Sequence, residues 1–406
     1  WQSPSASYRL NPRFPASLAH QQEMSRVANT CFAETGWSLT LQDMKWTVDR
    51  LGAAGCNLFN AQAFFYTLDG LRKHDGPPSQ FNQNPYWRHF RLLSDYVGRV
   101  SYALSQGRSA ADIALLDPVT SLWTHLAHPG IDWSYSGYDA DEEKVATRLV
   151  EDWAYLKDAL GLMQRDYDSL DPEALQKARV VGSSLKVGSA SYEVLIIPPI
   201  TNLEQGAFER IREFLNSGGK VVCLGLLPIE HIQEGPSVVE AFSRMTDMDP
   251  GRMIRDYVGH ELGVHVVQRG SFYLIRTGGA VERNRGARAL EDLLDQILPR
   301  PVTVQADKKS RSTILSHRRE EGKDRVFFLA NVSRSPVDAT VHLRVPTRFR
   351  RIERWDLETG RRSPLPGRSD DDGVAVDLAF GRLQSHLLVV SEGKPVDAAA
   401  PKSRER

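Results

Sequence analysis

The sequence predicts an α/β protein with more than one domain. Apolar strands alternate with amphipathic helices over roughly the first 300 residues, which specifies parallel sheets covered by helices. The helical period ends after Pro301, and short β-type runs follow. The length of 406 residues corresponds to about 2.7 domains at ~150 residues each. We therefore expect doubly wound parallel structure followed by a small antiparallel β-sandwich.

Composition excludes several classes of function. Lysine plus arginine is 51 and aspartate plus glutamate is 51, so the formal net charge is 51 − 51 = 0. A neutral chain has no electrostatic footprint for nucleic acid or an anionic membrane, and no apolar run approaches the ~18 residues of a membrane-spanning helix. The three cysteines, Cys31, Cys56 and Cys223, lack the short repeated spacing of a disulfide framework or zinc cluster. No motif indicates a cofactor or a metal site.

The first elements form a βαβ unit over residues 28–62. An apolar strand at 28–33 is followed by a helix whose apolar face has spacings of three and four: Leu41, Met44, Val48 and Leu51. Thr40 and Asp43 match a capping box at its start, and Gly55 fits its end. A second strand follows at 56–62. The two strands should be parallel, so their carboxyl ends should share one edge.

An aromatic, polar loop over residues 64–85 follows this unit. Loops of more than about 15 residues inside a compact domain are usually functional or disordered, and this one has many aromatic residues. We interpret it as a lid or a wall of a site. The next helix, with an apolar stripe from Phe90 to Leu104, should end near Gly107.

The βαβ pattern restarts at Asp112 and continues to about residue 300. Buried strands are predicted at 113–116, 194–197 and 220–224, with amphipathic helices between them. The sheet resembles that of class I glutamine amidotransferases, whose cysteine lies on a Gly-x-Cys-x-Gly elbow. Cys223 lies inside an apolar strand without that elbow, so we do not expect amidotransferase activity.

Beyond Pro301 the chain predicts an antiparallel sandwich. Its clearest β runs are 325–331, 339–345, 350–355 and 385–390. Residues 393–406 contain no periodic apolar residue and are predicted to form a disordered tail.

Glu34 is the candidate catalytic residue. It follows the first strand, where parallel α/β enzymes place their chemistry, and Gly36 permits a tight turn beside it. The alternative interpretation is an ordinary solvated loop glutamate.

Candidate substrate-binding residues surround Glu34 in the sequence. Asn60 and Gln62 alternate with alanines, so both amides should face one way and could bind sugar hydroxyls. Trp37 and Tyr66 provide flat faces for the apolar side of a pyranose, although Tyr66 could instead pack against the protein. Arg72 could bind substrate, but the run 70–75 is also typical of a solvated turn.

Several segments together resemble the end of the catalytic barrel in large bacterial glycoside hydrolases of the α-L-rhamnosidase-like group. They are Phe32-Ala33-Glu34-Thr35-Gly36-Trp37, Gly55-Cys56-Asn57-Leu58-Phe59-Asn60, Gly70-Leu71-Arg72-Lys73, Pro77-Pro78-Ser79, Trp87 and Ser101-Tyr102-Ala103-Leu104-Ser105-Gln106-Gly107. The domain order is also similar to that of barrel-type β-galactosidases. The resemblance implies the C-terminal portion of a (β/α)8 barrel over 1–108, a flavodoxin-like domain over 109–300 that could mediate homo-oligomers, and a β-sandwich over 301–392.

The resemblance implies a glycosidase that acts on a plant or microbial oligosaccharide or glycoside, with α-L-rhamnosides as one candidate. Glu34 would be the nucleophile or general base, and the partner acid would lie on an earlier strand. Gln62 departs from the group, where a histidine is expected, which leaves the sugar open. The alternative function is a non-catalytic carbohydrate-binding or oligomerisation module.

The chain starts at Trp1 without an initiator methionine, and we expect it to be a fragment. Only two barrel strands precede Asp112, against eight in a closed barrel. We therefore predict that the purified 406-residue chain hydrolyses no nitrophenyl glycoside at a measurable rate. Clear turnover in that assay would contradict this prediction.

Overall fold

The structure, a computed structural model, describes residues 12–125, 140–232, 237–259, 263–278, 282–346 and 348–393. The chain divides into two units. The parallel-sheet unit comprises residues 111–299 with the segment that ends at Gln22, and the sandwich unit comprises residues 23–110 with the chain from Arg300 onward. Apart from Gly393, the predicted tail lies outside the described residues.

The described secondary structure alternates between helices and strands as far as residue 297 and is mainly β beyond it. The helices are α1 Arg13–Gln21, α2 Leu41–Ala53, α3 Phe90–Ser105, α4 Val119–His125, α5 Ala140–Leu162, α6 Pro172–Lys177, α7 Gln205–Asn216, α8 Val238–Thr246, α9 Pro250–Gly259, α10 Arg283–Ile297 and α11 Lys308–Arg311. The strands are β1 Ala28–Cys31, β2 Leu58–Ala61, β3 Arg108–Ser109, β4 Ile113–Leu116, β5 Tyr167–Leu170, β6 Arg179–Val181, β7 Ser184–Val187, β8 Ala190–Tyr192, β9 Val194–Ile197, β10 Lys220–Leu224, β11 His265–Arg269, β12 Phe272–Arg276, β13 Val302–Gln305, β14 Ile314–Glu321, β15 Asp324–Asn331, β16 Val337–Arg344, β17 Phe349–Trp355, β18 Arg362–Pro364, β19 Arg368–Ser369, β20 Gly373–Phe380 and β21 Ser385–Glu392.

The parallel-sheet unit is built on a six-stranded sheet with the order β11-β12-β10-β9-β4-β5. Strands β5, β4, β9, β10 and β12 pair in parallel, and β11 joins the edge antiparallel to β12. The pairing of β9 with β10 is therefore parallel, as the βαβ pattern predicts. A separate antiparallel sheet, β6-β7-β8, belongs to the same unit.

The strands of this sheet are apolar throughout because both faces are covered. In β9, Leu195 and Ile197 belong to one core with helices α7 and α8, whereas Val194 and Ile196 belong to a second core with α10. Successive side chains of a strand point to opposite faces. A strand covered on both faces therefore needs a continuous apolar run rather than an alternating one.

Strand β5 and helix α1 are two elements that the sequence does not predict. All residues of β5 are buried, although it contains Asp168 and Ser169. Helix α1 covers it: His20 Nδ1 lies 2.5 Å from Asp168 Oδ2, and Tyr192 donates to the same oxygen at 2.9 Å. Helix α1 thus packs within the parallel-sheet unit, which differs from the expected domain of residues 1–108.

The sandwich unit contains two antiparallel sheets with a shared core. Their orders are β13-β16-β20-β19 and β18-β17-β21-β15-β14-β3. Phe327 and Leu329 of β15 enter the core between the sheets, together with Leu388 and Val390 of β21. The predicted runs at 325–331 and 385–390 therefore lie at the centre of the larger sheet.

The larger sheet also buries its other face, against helices α2 and α3. Val326 and Phe328 of β15 belong to a core with Met44 of α2 and Val100 of α3. Residues 23–110 thus share a unit with the sandwich. Helix α2 begins with the predicted capping box, in which Thr40 Oγ1 accepts from Asp43 N and Asp43 Oδ2 accepts from Thr40 N, both at 3.1 Å.

Within the described ranges, no helix combines the length and the apolar character that crossing a bilayer requires.

Gly107, in the turn after α3, should be highly sensitive to substitution. Gly107 has φ +59°, and an added Cβ would lie 2.1 Å from the carbonyl oxygen of Glu320. Gly322 has φ +50° with nothing within 4 Å, so it is a matched control. Gly322→Ala should cost about 1 kcal/mol of stability through its left-handed backbone, and Gly107→Ala should cost at least about 2 kcal/mol more because the backbone must move.

Denaturant unfolding measures the free energy of unfolding of both variants, and hydrogen exchange monitors the amides of the sandwich unit. Equal losses of stability in the two variants would contradict the predicted clash.

Candidate functional site

The candidate site lies at the carboxyl ends of β1 and β2. The two strands pair in parallel, with Thr30 opposite Asn60 and Cys31 opposite Ala61. The ladder extends one residue further because Gln62 N donates to the carbonyl oxygen of Cys31 at 3.0 Å. The segments that follow Cys31 and Ala61 therefore leave the same edge of this small sheet.

Glu34 stands on a turn directly after β1. Its backbone is left-handed, with φ +59°, between Phe32 at φ +80° and Gly36 at φ +84°. Phe32 is buried, whereas Glu34 is exposed. Thr35 Oγ1 donates to the carbonyl oxygen of Phe32 at 2.7 Å and closes the turn. In the described part of the chain, the Glu34 carboxylate has no ion-pair partner, so its charge is open to a ligand.

Asn60 and Gln62 lie on the open face of the second strand. Exposure alternates along residues 58–63, and both amides are on the exposed side, as the period of a strand dictates. Neither side-chain amide bonds to another described residue. The pair offers four N–H donors and two acceptor oxygens at the edge that Glu34 also follows.

Trp37 and the turn at 70–77 are joined to the Glu34 turn by hydrogen bonds. Trp37 Nε1 donates to the carbonyl oxygen of Lys73 at 2.9 Å, and Gly36 N donates to that of Pro77 at 3.2 Å. The Trp37 ring is 39% exposed with its N–H already satisfied. Arg72, which is exposed, lies on this turn beside Lys73.

The rest of the aromatic loop is ordered by the buried Ser79 and the half-buried Gln83. Ser79 Oγ accepts from Phe65 N at 3.2 Å and Phe81 N at 3.3 Å and donates to Gln83 Oε1 at 2.9 Å. Gln83 Nε2 in turn donates to the carbonyl oxygen of Tyr66 at 3.2 Å. The two ends of the loop are therefore joined by hydrogen bonds within it.

Some aromatic side chains of this region pack against the protein, and others are exposed to solvent. Trp87 lies 6.1 Å from Phe90 and 5.1 Å from Phe81 between ring centroids, so it packs at the start of α3. Tyr66 is 91% exposed, so it does not pack against the protein.

The structure brings some predicted residues together and leaves others apart. Glu34, Trp37 and Arg72 lie on segments that are hydrogen-bonded to one another, and Asn60 and Gln62 lie at the same strand edge. No described contact joins Tyr66 to the Glu34 turn. The sequence analysis missed the polar residues that order the loop, although the run Ser79-Gln80-Phe81-Asn82-Gln83-Asn84 after two prolines is typical of a structured turn.

Cys223 is excluded as a nucleophile. It is fully buried in β10, and burial raises the pKa of its thiol well above the ordinary range. A thiol in such a setting is inert. In the described ranges, no group of three or more histidine, cysteine, aspartate or glutamate side chains is arranged to hold a metal ion.

Comparison with known sequences gives a partial match. No family model matches the chain. A protein of Formosa agariphila, whose name marks it as a candidate beta-glucuronidase, is 28% identical over 198 residues, covering 43% of this chain and 17% of that protein.

Comparison with solved structures gives matches over nearly the whole chain. A rhamnosidase of Novosphingobium sp. PP1Y has a TM-score of 0.65 at 18% identity, covering 95% of this chain and 33% of its own. A β-galactosidase of Bacillus circulans sp. alkalophilus has a TM-score of 0.58 at 14% identity, covering 95% of this chain and 58% of its own. The resemblance to both groups of enzymes is therefore confirmed in the fold, and the chain spans about a third of the rhamnosidase.

The buried hydroxyl of Ser79 gives a test of loop order. Ser79→Ala removes the acceptor of two half-buried backbone N–H groups, and an unpaired donor costs up to about 1–3 kcal/mol when it is buried. We expect faster amide exchange across residues 63–84, whereas Ser94→Ala, at an exposed position of α3, should leave it unchanged. Unaltered exchange in Ser79→Ala would show that this hydroxyl does not order the loop.

Proposed function

We propose that this chain belongs to a glycoside hydrolase and carries one of its catalytic carboxylates, Glu34. The observation that carries the proposal is an exposed glutamate that follows the same carboxyl edge of two parallel strands as two amides, and none of these three side chains has a partner among the described residues. Barrel enzymes keep their chemistry at that edge. The fold that surrounds it matches those of solved glycosidases over 95% of this chain.

The proposal includes a specific domain organisation. Residues 28–108 would form part of a (β/α)8 barrel, of which β1, α2, β2 and α3 are consecutive elements. The parallel-sheet unit would be flavodoxin-like. Its five parallel strands lie side by side in the order β5-β4-β9-β10-β12, which is 2-1-3-4-5 when they are numbered along the chain. This is the strand order of the flavodoxin-like fold, which supports the proposal.

The proposed chemistry follows from the residue types at the edge. Glycoside hydrolysis uses two carboxyl groups, one as acid and one as nucleophile or base, and the proposal assigns Glu34 to the second role. Asn60 and Gln62 would bind hydroxyl groups of the sugar, and Trp37 would lie against its apolar face. The Trp37–Lys73 hydrogen bond supports this role because it holds the indole in place before a ligand binds.

The sugar is a separate question from the fold. The names of the similar proteins include a rhamnosidase, a β-galactosidase and a candidate beta-glucuronidase. One fold supports several sugars because the side chains at the site decide which hydroxyl pattern is bound.

The parallel-sheet unit is the proposed surface for contact between copies of the protein. Its described surface includes Phe14 and Leu18, which are four residues apart on α1, so they share one face of that helix, and each is at least half exposed. Exposed apolar groups of this kind are typical of association surfaces when they lie together.

Glu34→Gln in the complete protein tests the catalytic assignment. The substitution keeps the size of the side chain and removes the charge that attacks the anomeric carbon or activates water. We expect kcat to fall by about a thousandfold or more with KM little changed, because the lost interaction belongs to the transition state.

Glu23→Gln is the matched control for this experiment. Glu23 is also an exposed glutamate with φ +59°, but it precedes β1 and so lies at the opposite end of that strand. Its variant should keep normal kcat. A Glu34→Gln enzyme with near-normal kcat would reject the catalytic role and leave the edge as a carbohydrate-binding surface.

A further inference from the structure

We propose that the turn carrying Arg72, Lys73 and His74 selects a sugar with an anionic group, either a carboxylate or a sulfate. This inference rests on the proposed function, since the sugar would be the one bound at the Glu34 edge. All three side chains are exposed and consecutive in the chain: Arg72 and Lys73 end a short 3-10 turn, Gly70–Lys73, and His74 directly follows it.

The turn is held close to Glu34. Pro77 O accepts from Gly36 N at 3.2 Å, and Gly36 is two residues after Glu34, at most ~7 Å along the chain. The carbonyl oxygen of Lys73 accepts from the Trp37 indole at 2.9 Å. The basic residues therefore border the same surface that Glu34 and Trp37 present.

The backbone of the turn is ordered by its own hydrogen bonds. His74 N and Asp75 N both donate to the carbonyl oxygen of Leu71, at 2.8 and 2.9 Å. Asp69 N donates to Thr67 Oγ1 at 3.2 Å where the turn begins. A ligand that binds here would not have to order the backbone first, which lowers the entropic cost of binding.

The positively charged side chains of the turn form no ion pair within the described ranges. Asp69 and Asp75 flank the turn, yet no described carboxylate is within ion-pair distance of Arg72, Lys73 or His74. Several arginines elsewhere in the sandwich unit are paired with carboxylates: Arg344 with Asp372, Arg348 with Glu392 and Arg368 with Asp377.

An anionic sugar is the ligand that suits this arrangement. The planar guanidinium of Arg72 can donate two parallel hydrogen bonds to a carboxylate or a sulfate, and Lys73 adds a point charge. The negative charge of Glu34 would repel an anionic sugar, and cations on the neighbouring turn offset that repulsion. A neutral sugar would gain little from either cation.

Equilibrium binding to the complete protein, measured by titration calorimetry, tests the inference. The probes are matched pairs of sugars, glucuronate with glucose and galacturonate with galactose, and galactose 6-sulfate is added to separate sulfate from carboxylate. We expect tighter binding of the anionic member of at least one pair. Arg72→Ala should weaken that binding about tenfold, in line with the loss of a charge-assisted hydrogen bond, and should change neutral-sugar binding less than twofold.

Two further variants sharpen the result. Arg72→Lys keeps the charge without the planar fork, so we expect an intermediate loss. Arg26→Ala is the control, because Arg26 is exposed and precedes β1, at the end of the strand opposite to Glu34. It should leave all affinities unchanged. Raising the salt concentration should reduce the preference for the anion, since exposed charges are screened.

Absence of any preference for the anionic sugars, or a preference that survives Arg72→Ala, would overturn the inference. The outcome is separate from that of the catalytic test. Glu34-dependent hydrolysis of neutral glycosides that is indifferent to Arg72 would reject the anionic ligand and keep the proposed enzyme. Arg72-dependent binding of uronates without Glu34-dependent hydrolysis would keep the ligand and reject the catalysis.

Discussion

The burial of both faces of strands β15 and β21 is the constraint on which the sandwich unit depends. One face of these strands fills the core between the two sheets, and the other packs against α2 and α3. A strand with two apolar faces cannot present either to water without a large loss of hydrophobic free energy. The helices are therefore held on the sheet, and with them the two short strands, β1 and β2, whose ends carry the candidate site.

A buried polar network adds a directional constraint to this packing. The Tyr96 hydroxyl donates to Asp49 and lies 2.7 Å from Ser385 Oγ, so it connects α3, α2 and β21. Lys45 Nζ donates to Asp49 Oδ2 at 2.9 Å and to the carbonyl oxygen of Leu383 at 3.0 Å. Burial raises the pKa of Asp49, and the neighbouring Lys45 opposes that shift. Hydrogen bonds have preferred directions, so the network sets the rotation of α2 and α3 where apolar contacts alone would tolerate sliding.

The candidate site combines a hydrogen-bonded backbone with side chains that have no partner among the described residues. The Glu34 turn, the loop after β2 and the basic turn are tied together through backbone groups and buried side chains such as Ser79. The side chains of Glu34, Asn60, Gln62 and Arg72 form none of these hydrogen bonds. This arrangement is expected of a binding surface. Side chains that contact a ligand contribute more binding free energy when the backbone that carries them is already ordered.

Local sequence was sufficient to determine the elements that are specified by residues close to one another in the chain. The capping box of Thr40 and Asp43, the apolar stripe of α2 and the parallel pairing of β1 with β2 all follow from short-range patterns. That pairing also placed Glu34, Asn60 and Gln62 at one edge.

Only the tertiary structure decided the rest. Strand β5 contains Asp168, which no apolar pattern predicts, and it is buried because His20, 148 positions earlier, pairs with it. Arg72 borders the site because the Trp37 indole meets the Lys73 carbonyl, 36 positions away. Periodicity along a chain reports which face of an element is apolar, whereas a hydrogen bond between distant segments depends on where the whole fold places them.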